Sequence, residues 1–316
     1  IKMGCAAVKG ISEKKNNHLI DCIQVEHAIT CLTLSEDNSL LVTGTDNGLA
    51  VMWSALSKST ELLGKLIGHE GAVVCCVVHE SFVVTGSTDT TIRKWSIESG
   101  MCLCIYKGHS SKVNQILCFS CFMFSTSYDK TAKAWTFSLL DTYDANSTMC
   151  LRTLRGHKKS VYPIVFVPSE NKPQLSPQIF ERDLIITGSA DCSVKIWSFV
   201  RGDCLKTLLD HTSPVQCLQL DPLEKKRIFS AGGDGLIICW DIITGEKIRE
   251  LKGHQSAVLS LVAYKRMLYS ASVDKTARAW ISEFGECTRI YSGHFAPVAF
   301  VKYHNGLGLY ALHSFH

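Results

Sequence analysis

The chain has 316 residues, 46% of them hydrophobic and 20% charged, which supplies a sizeable core and argues against a disordered polypeptide. Its 33 basic and 29 acidic side chains leave a net charge of +4, too mild for the broad basic footprint of a nucleic-acid binder. The longest apolar run, around Ala72–Val78, is strand-sized and well short of the ~18–20 residues that span a bilayer.

Residues 1–17 are polar and lysine-rich, without strand alternation, and are expected to form a flexible head. The chain opens on Ile1 rather than methionine, as a fragment would, and no basic stretch followed by an apolar one marks a secretory signal. A cytoplasmic location, extending to the nucleus, is therefore expected. Within the head, Met3-Gly4-Cys5 would offer two acylation sites if Met3 were a start, and only then is a membrane partner expected. Val8 stands where that motif wants Ser or Thr.

Beyond the head, residues 18–26 (HLIDCIQVE) read as a single outer strand, and then one phrase recurs. It appears as TGTDNGLAVMW (43–53), TGSTDTTIRKW (85–95), STSYDKTAKAW (125–135), TGSADCSVKIW (187–197), SAGGDGLIICW (230–240) and SASVDKTARAW (270–280). A histidine at a turn precedes each: His27, His69, His109, His157, His211 and His254, with a seventh, His294, near the end. Successive tryptophans are 42, 40, 62, 43 and 40 residues apart, a regular period with one long insertion. Within a period the grammar is that of strands and turns. After His69, AVVCCVV and SFVVTGS are two strands, Asp89-Thr90 is a tight turn, and TIRKW is a third strand. Glu98-Ser99-Gly100 turns again, and MCLCIYKGH is a fourth. Four antiparallel strands in ~40 residues cannot bury both faces alone, whereas stacking sheet on sheet can. The expected fold is an all-β propeller.

The histidines, the Gly-His steps, the Ser/Thr four residues before the Asp and the Trp six residues after that Asp together resemble the WD40-repeat family over residues 18–300. The resemblance implies a WD40 β-propeller over 18–316, with six complete repeats and a partial seventh. After His294, APVAFVKY and LGLYALHS supply two strands, but Ala311 and Phe315 stand where the Ser/Thr and Asp would be. A seven-bladed ring with an incomplete last blade is expected, with 18–26 completing it; an open arc is the alternative.

A hydroxyl, an imidazole and a carboxylate together suggest a catalytic triad, but an active site is normally singular and this set recurs at every period. The sets are His69, Thr85, Asp89, Trp95; His109, Ser125, Asp129, Trp135; His157, Thr187, Asp191, Trp197; His211, Ser230, Asp234, Trp240; and His254, Ser270, Asp274, Trp280. The expectation is a buried hydrogen-bond chain in each repeat, with links worth roughly 0.5–1.5 kcal/mol when neutral. In the first repeat Asn47 takes the Asp slot beside Asp46, predicting a weaker or rearranged set. Arg93, Lys133, Lys195 and Arg278, two residues before their tryptophans, are expected to be strand side chains with solvated tips.

The fifteen cysteines are odd in number and scattered through apolar stretches, as at Cys31, Cys118, Cys217 and Cys239, and are expected to be reduced thiols. Cys118-Phe-Ser-Cys121 lacks the second ligand pair a zinc site needs, so no metal and no cofactor are expected. In the implied family geometry the His turns and Asp turns share one rim, where recognition falls to residues outside the hydrogen-bond chain. Tyr128 and Phe295 are the aromatics there, and Arg155, Lys158 and Lys159 form a small basic cluster suited to an acidic or phosphorylated peptide. Residues 138–148 and 168–183 are insertions expected on the opposite rim, as loops and a possible second ledge.

The expected function is a non-catalytic protein-interaction platform, a scaffold or adaptor for partner proteins with no small-molecule substrate. The alternative is a substrate receptor of a ubiquitin ligase complex. Receptors of that kind often carry Trp-Asp-x-Arg, and here the Arg position holds Leu56, Glu98, Ser138, Val200, Ile243 and Glu283.

Overall fold

The computed structural model describes residues 26–55, 61–137, 150–169, 183–304 and 308–313. Among them the regular structure is entirely β-strand, and no helix is long and apolar enough to cross a membrane. The head, the strand expected at 18–25 and most of both insertions lie outside the described residues. The chain divides into two compact units, one running to Asp183 and including Ser198–Asp203, the other holding Leu184–Trp197 and the chain from Cys204 onward.

In the first unit, β1 (Ile29–Leu34), β2 (Leu40–Thr45), β3 (Ala50–Ser54) and β4 (Glu61–Leu66) make an antiparallel sheet in chain order. The same meander repeats in β5 (Val73–His79), β6 (Phe82–Ser87), β7 (Ile92–Ser96) and β8 (Cys102–Tyr106). It repeats again in β9 (Val113–Phe119), β10 (Phe122–Ser127), β11 (Thr131–Thr136) and β12 (Cys150–Arg155), after which β13 (Val161–Val167) opens the fourth repeat. In the second unit β14 (Leu184–Ser189), β15 (Val194–Ser198) and β16 (Cys204–Leu208) run side by side. Two full sheets follow: β17 (Val215–Leu220), β18 (Arg227–Gly232), β19 (Ile237–Asp241), β20 (Lys247–Leu251), then β21 (Val258–Tyr264), β22 (Met267–Ser272), β23 (Ala277–Ile281), β24 (Cys287–Tyr291). A two-stranded sheet, β25 (Val298–His304) with β26 (Gly308–His313), matches the partial seventh repeat read from the sequence.

Second strands are buried from end to end, as in FVVTGS of β6 and FMFSTS of β10. A strand covered on both faces reads as a continuous apolar or small run rather than an alternating one. Fourth strands such as β8 and β16 are exposed or half-buried up to a buried last residue, because one face looks to solvent. Each fourth strand also bulges opposite the tryptophan: Lys94 pairs with Cys104 and Trp95 with Cys102, so Leu103 is extruded. Leu63, Leu205 and Ile248 occupy the same extruded place, which is why these apolar side chains are exposed.

The core of each unit lies between successive sheets. In the first unit Phe119, Phe124, Phe166 and Phe199 interlock with ring centroids 4.9–5.7 Å apart. Beside this layer the buried Asp183 carboxylate accepts the Ser169 N–H at 2.8 Å. Glycine at Gly44 and Gly86 is dictated by packing. A Cβ on Gly86 would stand 2.7 Å from Cys75 Sγ and 2.8 Å from Val113 Cγ1, on two neighbouring first strands. The third repeat solves the same position differently, with Thr126 donating its hydroxyl to Tyr162 O at 2.7 Å. Substituting Gly86→Ala is expected to cost about 1–3 kcal/mol through overpacking, read as a lowered urea midpoint; an unchanged midpoint would contradict the packing account.

Candidate functional site

Four of the five complete sets form the expected chain, link by link. The Trp indole N–H donates to the Ser/Thr hydroxyl at 2.7–2.8 Å in the second, third, fifth and sixth repeats. The hydroxyl in turn donates to His Nε2 at 2.6–2.8 Å. The His Nδ1–H then donates to the Asp carboxylate at 2.7–2.8 Å. Only the tautomer with the proton on Nδ1 lets every donor in this series find an acceptor. In the fourth repeat, Trp197 donates to Thr187 within the second unit at 2.8 Å, while His157 belongs to the first unit.

The aspartate collects several donors at once. Asp129 Oδ2 also accepts the Ser110 N–H at 3.0 Å, and its Oδ1 accepts the Thr131 N–H and hydroxyl at 2.9 and 2.6 Å. Burial alone would raise these carboxyls, but the bonds from His109 and Thr131 outweigh it and hold Asp129 well below the ordinary range. Asp274 is held at about 2 against the same burial, by Thr276, the Gln255 N–H and His254. His69 and His254 are shifted down, first by burial, with the paired carboxylates opposing. Neutral imidazole beside ionised carboxylate is the favoured state. The hydroxyls of Thr85, Ser125, Ser230 and Ser270 have 0% exposure, so no substrate carbonyl can approach them. At these positions the triad chemistry is a brace.

The first repeat departs as its sequence predicts. Trp53 still donates to Thr43 at 2.9 Å, but His27 is exposed and only 3.8 Å from Asp46. Asn47 instead caps its own turn, accepting the Leu49 N–H at 3.2 Å. The Gly of the Gly-His step is explained by the side chain two residues before the Trp. A Cβ on Gly68 would lie 2.5 Å from Arg93 Nη1 and 3.1 Å from Trp95 Cη2. The expectation of solvated tips at these basic positions is corrected for the lysines. Lys133 is buried and donates to Thr153 at 2.8 Å, and Lys195 donates to Thr207 at 2.8 Å, because the hydroxyl on the paired fourth strand is within reach.

The brace sets the turns around it. Thr90, Lys130, Cys192 and Lys275, each following its Asp, adopt left-handed backbone (φ 66–72°), and glycine fills that place in Gly48 and Gly235. The His turn and Asp turn are tied directly: Tyr128 N–H donates to Lys112 O at 3.0 Å and Ser127 Oγ to Ser111 O at 3.1 Å. This places the Lys112 ammonium 5.3 Å from the Tyr128 ring centroid, with Tyr128 53% exposed. Arg155, the last residue of β12, and Lys158 and Lys159, in the turn leading to β13, are exposed. The start of that strand is held to the third repeat by Asn114 Nδ2 donating to Val161 O at 2.7 Å. The first unit therefore carries four of the five candidate residues, and Phe295, 71% exposed, lies in the second. Lys112 was missed from the sequence; its signal is its place in the His109 turn, three residues after the histidine.

Comparison with known proteins accounts for this geometry. The model of the WD domain, G-beta repeat matches residues 20–54, 60–96, 100–136, 148–198, 202–241 and 245–280. The chain belongs to the WD40 repeat family. Its fold is that of the WD40 β-propeller domain of Doa1, at a TM-score of 0.73 and 20% identity, covering 98% of this chain and 93% of that one. Among curated WD40 relatives it is 27% identical over 226 residues to the DENN domain and WD repeat-containing protein SCD1 of Arabidopsis thaliana, covering 69% of this chain and 17% of SCD1. It is 26% identical over 299 residues to Cell division control protein 4 of Saccharomyces cerevisiae, covering 84% of this chain and 37% of that protein. It is also 25% identical over 297 residues to an uncharacterized WD repeat-containing protein of Schizosaccharomyces pombe, covering 90% of this chain and 71% of that protein.

Two outcomes test the WD40 brace. Asp129→Ala strands a buried imidazole N–H, two backbone N–H groups and a hydroxyl, and is expected to cost about 3 kcal/mol in urea unfolding. Asp46→Ala, at an exposed 3.8 Å contact, should stay within about 0.5 kcal/mol of wild type. Equal losses at both positions would refute the difference drawn between the repeats. The second outcome concerns pH. Because His69 and His254 titrate lower when folded than their ordinary 6.5, the unfolded chain binds the extra protons, and stability is level above that pH and lost as pH falls through it. A further loss follows below about 3.8, where Asp274 protonates more readily in the unfolded chain. A urea midpoint unchanged from about pH 8 to about pH 5 would remove the histidine contribution.

Proposed function

We propose that this chain is a non-catalytic protein-interaction platform, and that its first unit receives a partner through Tyr128, Lys112 and the neighbouring Arg155, Lys158 and Lys159. The observation that carries the proposal is the exposed tyrosine ring with a lysine ammonium 5.3 Å away, on a turn that the Tyr128 N–H and the Asp129 carboxylate hold in place. A rigid aromatic and a cluster of cations favour an acidic or phosphorylated peptide, since the ring supplies area at small entropic cost and the cations supply charge-assisted hydrogen bonds. The WD40 family supports the general role of binding other proteins. The mild net charge of +4 disfavours nucleic acid as the partner, and free thiols throughout the described residues favour a reducing compartment, the cytoplasm or nucleus.

The test is affinity purification with mass spectrometry, comparing wild type with Tyr128→Ala/Lys112→Glu and with Lys158→Glu/Lys159→Glu, each shown to unfold at the wild-type urea midpoint. The expected result is a partner set retained by wild type and depleted at least about tenfold by the first variant, the loss of ~1.4 kcal/mol or more. Partners that persist in both variants would remove this surface from the proposal. A protein that retains no partner above background would count against the platform itself.

A further inference from the structure

Cys31 on β1 and Cys76 on β5 belong to the first two repeats, and their sulfurs meet 3.6 Å apart at the interface between the two sheets. The approach is built into the packing on both sides. Thr30 donates its hydroxyl to Val73 O, and Cys31 Sγ lies 3.5 Å from the same carbonyl, which pins β1 against the start of β5. Gly44 makes room for the Cys31 sulfur, since a Cβ there would stand 2.6 Å from it. Cys76 is embedded among Val42, Met52, Val83 and Trp95 and has 8% exposure, so its sulfur has little freedom to turn elsewhere.

We propose that Cys31 and Cys76 form a reversible, peroxide-sensitive dithiol that closes to a disulfide joining the first two repeats. Bringing 3.6 Å to the disulfide length of about 2.05 Å takes a small approach of the sulfurs, within the reach of χ1 adjustment. Cys31 is the less buried of the two and therefore the sulfur that the oxidant meets first in this proposal. Its thiol is also held below the ordinary value, first by the hydrogen bond from Cys76, then against burial by Thr30 and the Gly44 N–H. Cys76 is pushed up by the same bond and by burial, so it keeps its proton until Cys31 has reacted.

The chemistry balances with hydrogen peroxide as the oxidant. The Cys31 thiolate attacks one peroxide oxygen, the O–O bond breaks, hydroxide leaves and Cys31 becomes a sulfenic acid. The Cys76 sulfur then attacks the Cys31 sulfur, the S–O bond breaks, and water leaves with the Cys76 proton. Two thiols are oxidised by two electrons and one peroxide is reduced to water. A thiol reductant reverses the bond by exchange.

The experiment is limited peroxide treatment of the folded chain, followed by alkylation of remaining thiols under denaturing conditions and mass spectrometry of the unreduced tryptic peptides. The expected product is a linked pair carrying Cys31 and Cys76, two hydrogens lighter than the sum of its peptides, formed before other cysteines are consumed and dispersed by dithiothreitol. Cys22 shares a tryptic peptide with Cys31, and Cys75 is adjacent to Cys76. Cys31→Ser and Cys76→Ser must therefore each abolish the linked pair, while Cys75→Ser keeps it. In Cys76→Ser, dimedone should trap Cys31 as the sulfenic acid adduct. Oxidation should also raise the thermal midpoint of wild type and leave that of Cys31→Ser unchanged. Recovery of Cys31 and Cys76 as separate alkylated thiols after other cysteines have oxidised would overturn the proposal, as would a linked pair that survives Cys31→Ser.

Discussion

A directional hydrogen-bond chain, from tryptophan indole through hydroxyl and imidazole to carboxylate, sits at one end of the repeats and decides what that end can be. It runs in one protonic sense, and its last member accepts donors from two stretches of chain: the imidazole with the N–H following it, and the turn between the second and third strands. No local turn propensity would hold Lys130 or Lys275 in left-handed backbone; the carboxylate that accepts the next residue's N–H and hydroxyl does. The first repeat shows the consequence of removing it. With Asn47 capping only its own turn, the indole bond survives in the core but the histidine is released to solvent.

The opposite constraint acts across the sheets, most strongly at second strands such as β6 and β10, which are buried along their length. There, volume rather than hydrogen bonding sets the residue. Gly44 and Gly86 are required by side chains of the next repeat, and Thr126 is admitted where a carbonyl can receive its hydroxyl. The sheets discharge irregularity outward, as bulges on the fourth strands that place Leu63, Leu103 and Leu205 at the surface. Turns are left as the positions where side chains can vary without breaking either constraint. Tyr128 and Lys112 are an instance: their backbone is committed to the His–Asp tie, and their side chains are not.

Close sheet packing also explains how thiols of very different character coexist. Desolvation pushes up the thiols of Cys75, Cys118 and Cys217, Cys118 to about 12 against the opposing charge of Lys94. Cys118 and Cys121, the Cys-x-x-Cys of the sequence, flank the β9–β10 hairpin turn as free thiols. Cys31 differs because a second sulfur lies 3.6 Å away and favours its ionised form. Adjacency of two thiols, rather than exposure of one, is what distinguishes the pair.

The periodic phrase was enough to specify the strands, the turns at Asp89-Thr90 and Glu98-Ser99-Gly100, and the membership of each His–Ser/Thr–Asp–Trp set. All of these are encoded at short, recurring separations that strand alternation and turn chemistry make legible. The same holds for the weakened first repeat, since a single Asn in the carboxylate slot removes the charged acceptor. The sequence could not show that Lys112 stands under Tyr128, because that depends on which turn the Tyr128 N–H bonds to. Nor could it show that Lys133 and Lys195 spend their ammonium groups on fourth-strand threonines, which needs the register of the third and fourth strands. The meeting of Cys31 and Cys76, 45 residues apart, was equally invisible. Side-chain pairing between sheets is fixed by packing depth and register, and those exist only once the sheets have closed on one another.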